Sequence, residues 1–271
     1  MSLGIVVKGP EGLVLAADSR VTLESRQQGQ PPIMVNFDNA TKLLSFGEPN
    51  ISNPHRYVGV VTYGQAAIGL RTANSFVPEF EEGLPKERLK IDDFAKVLSD
   101  FFMKQWQAVM PSDYAGPAMT FIVAGFNDGE AYGRVYLIEI PSTPTPIEQH
   151  GKPGEFGITW GGQREFVDRL LRGYDPRLPE LIKNALHLKP TQMSELMKVL
   201  RPLQMSTPVQ MLALQDCVNL AIFFIRTTIE AQELSVGVRG VGGEIDVATV
   251  TRRDGLQFVQ RKKIVGEIPG Y

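Results

Sequence analysis

The chain has 271 residues, 43% of them hydrophobic and 21% charged, and its formal net charge is −2. That much apolar material builds a globular core, in one large domain or two small ones. With 28 basic against 30 acidic residues and no block of like charge, nothing in the composition marks a nucleic-acid or membrane-surface binder.

In chain order, residues 1–8 show no basic segment ahead of an apolar stretch and no small-residue cleavage site, so a secretory signal is not expected and a cytoplasmic location is. Residues 4–8 and 13–17 are short apolar runs joined by Pro10-Glu11-Gly12, a β-hairpin pattern that ends at Asp18. Residues 41–46 and 57–63 read as two more strands separated by a polar loop, so four strands precede any helix. Residues 64–82 have helical apolar spacing that Gly69 interrupts, and a clearer helix follows Ile91, where Asp92 and Asp93 suit the positive end of the helix dipole and Phe94, Val97, Leu98, Phe101 and Phe102 share a face.

Residues 119–126 and 134–140 form a strand pair around Asn127-Asp128-Gly129, and residues 141–146 read as a Pro/Thr loop. Gly161-Gly162 precedes a short amphipathic helix at 164–172, and residues 190–200 are a second. Pro208 opens the longest helix, with Ser206 or Thr207 as its cap and an apolar stripe from Met211 to Ile229. Residues 244–250 and 256–260 close the chain as a hairpin across Arg253-Asp254-Gly255. Strands joined as hairpins, with helices grouped between them, predict an α+β protein of antiparallel sheets with helices packed outside. No repeat of solenoid period is visible, and the longest purely apolar run, 220–225, is far too short to cross a bilayer.

Chemistry-bearing residues are sparse. Cys217 sits among apolar residues in a helical pattern, as a buried structural thiol does, and a single cysteine excludes an internal disulfide. His55, His150 and His187 are scattered without Cys, Asp or Glu partners at ligand spacing, so neither a metal site nor any other cofactor is expected.

Several stretches together resemble a known family. Gly4-Ile5-Val6-Val7-Lys8 followed by residues 12–22 is similar to the opening of proteasome β-type subunits, residues 41–46 to that family's lysine-bearing strand, and residues 242–255 to its C-terminal hairpin. The resemblance implies the N-terminal nucleophile hydrolase fold, a four-layer αββα sandwich, in a divergent bacterial-type or archaeal-type relative. It implies a single domain over 1–271, with extra elements at about 47–56, 141–156 and 173–205, that assembles into homo-oligomeric rings and hydrolyses peptides or unfolded proteins, with or without an ATP-dependent unfoldase. The family's nucleophile is the first residue, whose free α-amine acts as general base. Asp18 matches its acid, Lys42 its lysine, and a backbone N–H near Gly64 is placed to hold the oxyanion.

The match departs at the nucleophile. The family's catalytic threonine stands four residues before the glycine matched by Gly4, whereas Ser2, exposed if Met1 is removed, lies about 7 Å further along at ~3.3 Å per residue. Gly161-Gly162-Gln163 stands where the family has a serine-bearing turn, and Val238 and Val241 stand where it has an aspartate and a serine supporting the amine. Two explanations stay open: a threonine upstream in the native gene, which Asp18 and Lys42 favour, or loss of the amine-supporting site, which Gly162, Val238 and Val241 favour. The expected activity is an N-terminal nucleophile, threonine-type endopeptidase with Ser2, Asp18 and Lys42 as candidate site residues. An inactive structural ring subunit is the alternative, and a small-molecule amidase of the same fold is a third.

Overall fold

A computed structural model describes residues 2–25, 33–47, 53–237 and 239–266. The N-terminal hairpin is β1 (Leu3–Lys8) and β2 (Leu13–Ala17). A second hairpin, β3 (Val21–Ser25) with β4 (Ile33–Phe37), leads to β5 (Leu43–Ser45) and β6 (Val58–Gly64). The helix expected from Gly64 is shortened. Left-handed turns at Gly64 (φ +85°) and Gly69 (φ +59°) instead produce the two-residue strands β7 (Ala67–Ile68) and β8 (Arg71–Thr72), and only α1 (Val77–Glu82) is α-helical. The helix α2 (Ile91–Val109) follows as expected, then β9 (Met119–Gly125) and β10 (Arg134–Ile140).

One strand appears where a loop was expected, and a further strand and a helix fill stretches to which no element was assigned. β11 (Thr143–Gln149) contains Pro144 and Pro146, tolerated because it is a sheet edge where one row of amides needs no partner. β12 (Gly157–Gly162) precedes α3 (Glu165–Arg172), and α4 (Leu178–Leu186) precedes α5 (Pro190–Leu200). The longest helix, α6 (Leu214–Glu233), starts six residues after Pro208. Its first amide is satisfied by Glu11, whose Oε2 accepts from Leu214 N at 2.7 Å, so neither Ser206 nor Thr207 caps it. β13 (Asp246–Thr251) and β14 (Gly255–Gln260) complete the chain.

The strands form two five-stranded antiparallel sheets, ordered β12-β1-β2-β13-β14 and β11-β10-β9-β6-β5. Alternation along β1 sorts its side chains. Leu3, Ile5 and Val7 join Val14 and Ala16 in a cluster with Val167 of α3 and Val218, Phe224 and Ile225 of α6. Val6 turns the other way and, with Leu13 and Leu15, meets Val61 and Ile122 of the second sheet. The far face of that sheet packs Val60, Phe121 and Ile138 against Phe80 of α1 and Phe94, Leu98 and Phe102 of α2. Burial on both faces explains why β1, β2 and β9 are apolar at nearly every position, Lys8 and Thr120 excepted, instead of alternating. No helix among the described residues is long and apolar enough to cross a membrane.

Candidate active site

Ser2 has the same parity as Gly4 and Val6, so its side chain faces the second sheet. Its carbonyl oxygen accepts a hydrogen bond from Gln163 N at 2.7 Å. Gly162 makes this approach possible. At φ +93°, it brings the turn so close that a Cβ would stand 2.0 Å from the Ser2 carbonyl oxygen. The Gly-Gly-Gln sequence that lacks the expected hydroxyl therefore grips the N-terminal strand through its backbone.

Asp18 follows β2 and is 1% exposed. Its Oδ1 accepts from Leu3 N (2.9 Å) and Lys42 Nζ (2.7 Å), and its Oδ2 from Arg20 N (3.1 Å) and Gly242 N (3.0 Å). One carboxylate thus ties the first strand, the residues after β2, the lysine and the approach to β13. Lys42, 4% exposed, also donates to the Arg20 carbonyl at 2.5 Å, and its own carbonyl accepts from Thr62 N at 2.8 Å. Burial lowers the ammonium's proton affinity below the usual lysine value, an effect that the Asp18 carboxylate opposes.

Ser2 and Lys42 line one small cleft together with Thr41, Thr62, Tyr63 and Gly64. The fold brings Ser2, which counting from Gly4 sets about 7 Å along the strand from the matched family's nucleophile position, to the same cleft as Lys42. Asp18 lies behind Lys42, bonded to the residue after Ser2. Gly64 lies at the cleft where β6 ends. The amide of Thr62 points toward the Lys42 strand, and by strand alternation the Gly64 N–H, two residues on, points the same way.

Tyr63 and Gln232, which nothing in the sequence singled out, also build this site, together with Gln163 of the Gly-Gly-Gln turn. The Tyr63 ring lies across β1 and β12 in the volume that side chains on Gly4 and Gly161 would take. Its burial raises the phenol pKa beyond the ordinary tyrosine value, so it stays protonated at neutral pH. Gln232 of α6 donates to Gln163 Oε1 (2.6 Å) and accepts from Val241 N (3.0 Å), linking the turn beside Ser2 to the segment that donates to Asp18. Amide side chains thus connect the two places where the matched family's hydroxyl and carboxyl groups are missing. Val241 is buried and takes part only through its backbone, while Val238 lies outside the described residues. Glycine at 161 is required by Tyr63, because a Cβ there would lie 2.1 Å from the phenol oxygen. Gly161→Ala is expected to cost about 1–3 kcal/mol by overpacking, read as a lower denaturant midpoint with an unchanged slope. An unaltered midpoint would show that the ring moves freely.

Among the described residues no group of three or more His, Cys, Asp or Glu side chains is arranged to hold a metal ion. Cys217 is buried against α6's packing partners, and burial pushes its thiol pKa up to about 11.

No family model and no curated protein matches the sequence. Solved structures do. A Gly-1 mutant of Anbu from Hyphomicrobium sp. strain MC1 is 15% identical, over 97% of this chain and 86% of that one, with a TM-score of 0.55. The Anbu complex of Pseudomonas aeruginosa, described as a helical assembly, is 14% identical over 96% of this chain and 88% of that one, with a TM-score of 0.57. These likenesses establish a shared fold. They also correct the assignment to proteasome β-type subunits, because the structural neighbours are Anbu proteins, which are related to that family but not part of it. The stretches quoted for the resemblance build the paired hairpins and the Asp18–Lys42 corner.

Proposed function

We propose that the chain is an N-terminal nucleophile hydrolase with an αββα layered fold, cleaving peptide bonds by threonine-type endopeptidase chemistry with Ser2 as nucleophile. The observation that carries this reading is that Lys42, paired with the buried Asp18 behind it, lines one cleft with Ser2. After removal of Met1, the Ser2 hydroxyl attacks the scissile carbonyl carbon while the free α-amine takes the hydroxyl proton. The Lys42 charge favours the deprotonated oxygen, and the Gly64 N–H donates to the oxyanion. Collapse breaks the C–N bond, the proton passes to the departing amine, and water then hydrolyses the acyl-serine ester. Asp18 holds the lysine without touching substrate. The layers of helix and sheet that pack on one another support a single-domain reading, and the helical assembly of the Pseudomonas relative supports an oligomeric one, here a cytoplasmic homo-oligomeric ring.

Intact-mass and peptide mass spectrometry on protein expressed from its native start, with and without a peptide epoxyketone, tests this. An adduct joining the hydroxyl and α-amine of one residue is the expected result and identifies the nucleophile. An assembled protein with a free Ser2 amine that takes no adduct would instead establish the structural ring subunit, a reading favoured by the absence of a side-chain hydroxyl at Gly162 and Val241.

A further inference from the structure

Beyond β14 the chain stays against the body. Lys262 N donates to Asp246 Oδ1 at 2.9 Å, and its ammonium pairs with the other oxygen of the same carboxylate. Asp246 lies opposite Ala17, the residue before Asp18, so this anchor holds the tail close to the reaction centre. Side chains alternate along an extended chain. With Lys262 turned inward, its side chain only 11% exposed, Arg261 and Lys263 point to solvent. The Arg261 guanidinium lies 4.2 Å above the Phe258 ring, which fixes its direction.

Residues 261–265 form one wall of an open groove of about 1340 Å³, and Asn39 and Thr41 form the other. Thr41 also lines the Ser2 cleft, so groove and cleft adjoin at that residue. The nearby acid, Asp38, has both carboxylate oxygens taken by Arg20, at 2.6 and 2.7 Å. Among the described residues neither Arg261 nor Lys263 forms an ion pair, so a chain of net charge −2 presents two uncompensated cations beside its cleft. Such a local field raises the concentration of anionic ligands.

From this arrangement we infer that the groove is a substrate subsite for a carboxylate-rich stretch of polypeptide, held by Arg261 and Lys263 while the bond to be cut lies at Ser2. The inference rests on the hydrolase reading for its purpose but not for its binding chemistry. The test uses the full-length protein and two fluorogenic peptides of one sequence, carrying either three glutamates or three alanines beside the cleavable segment. At low salt the KM of the glutamate peptide is expected to be about tenfold lower, with the advantage shrinking as ionic strength rises. The double substitution R261E/K263E is expected to reverse the preference in favour of a lysine-bearing version, which a merely structural tail would not do. Equal KM values for glutamate and alanine peptides, or a preference that survives the charge reversal, would overturn the inference. Anisotropy of the labelled glutamate peptide separates the two readings. Salt-sensitive binding without cleavage retains the groove and removes the hydrolase, whereas cleavage without such binding removes the groove and retains the hydrolase.

Discussion

Replacing Lys42 by alanine is expected to lower peptide hydrolysis by about 10²–10⁴-fold, the range for loss of one group that controls proton transfer at a reacting centre. The substitution leaves Asp18 with its Leu3, Arg20 and Gly242 amide donors, which soften the loss of its buried cationic partner. A loss of rate in a protein that still unfolds cooperatively, at a lowered midpoint, is therefore the expected pair of results, and an unchanged rate in an active preparation would remove Lys42 from the chemistry. The pH profile gives a second reading. Because burial lowers the Lys42 pKa, the alkaline limb of activity should begin below the ordinary lysine value of about 10.4. Folding shows the same shift with a definite sign. Between the lowered folded value and the unfolded one, the unfolded chain binds more protons, so stability rises with pH across that window. In Lys42→Met that rise should disappear, which urea titrations at neutral and alkaline pH will show.

Asp18→Ala is expected to cost about 3–5 kcal/mol of stability, the range for breaking a buried ion pair by removing one partner. The loss strands the Lys42 ammonium at a site where its side chain is 5% exposed and orphans three backbone N–H groups. Adding Lys42→Met should recover part of the deficit, because the uncompensated charge disappears, and the resulting coupling energy measures the pair. A single-variant cost below about 1 kcal/mol would contradict the geometry, since even the ordinary price of one unsatisfied buried group exceeds it. Activity should fall with Asp18 as well, through misplacement of Lys42.

The parts of the fold legible in the sequence are those whose cause is local. Alternating or all-apolar runs with Gly, Pro or Asn-Asp-Gly turns located the hairpins of β1–β2, β9–β10 and β13–β14, and the apolar face of α2 announced itself by its spacing. What escaped depends on partners far along the chain. The start of α6 is set by a carboxylate at Glu11, and β11 tolerates its prolines only because nothing pairs beyond it. The same division holds at the candidate site. Asp18 and Lys42 stand out because each lies at a strand end in a recognisable run. Ser2 is legible only as a hydroxyl just before β1, and its sharing a cleft with Lys42 depends on how the two sheets stack. Tyr63 and Gln232 carry no motif, since their positions arise from stacking one sheet on another and from a helix dozens of residues away from the turn it serves.

The four bonds to Asp18 also order events during synthesis. Their donors come from residues 3, 20, 42 and 242, so the last of them leaves the ribosome when most of the chain is already outside. Until then the carboxylate lacks the donor that binds the opening hairpin to the closing one. Contacts of such long sequence separation form late, so the Asp18 corner is expected to be completed only once the closing hairpin has been made.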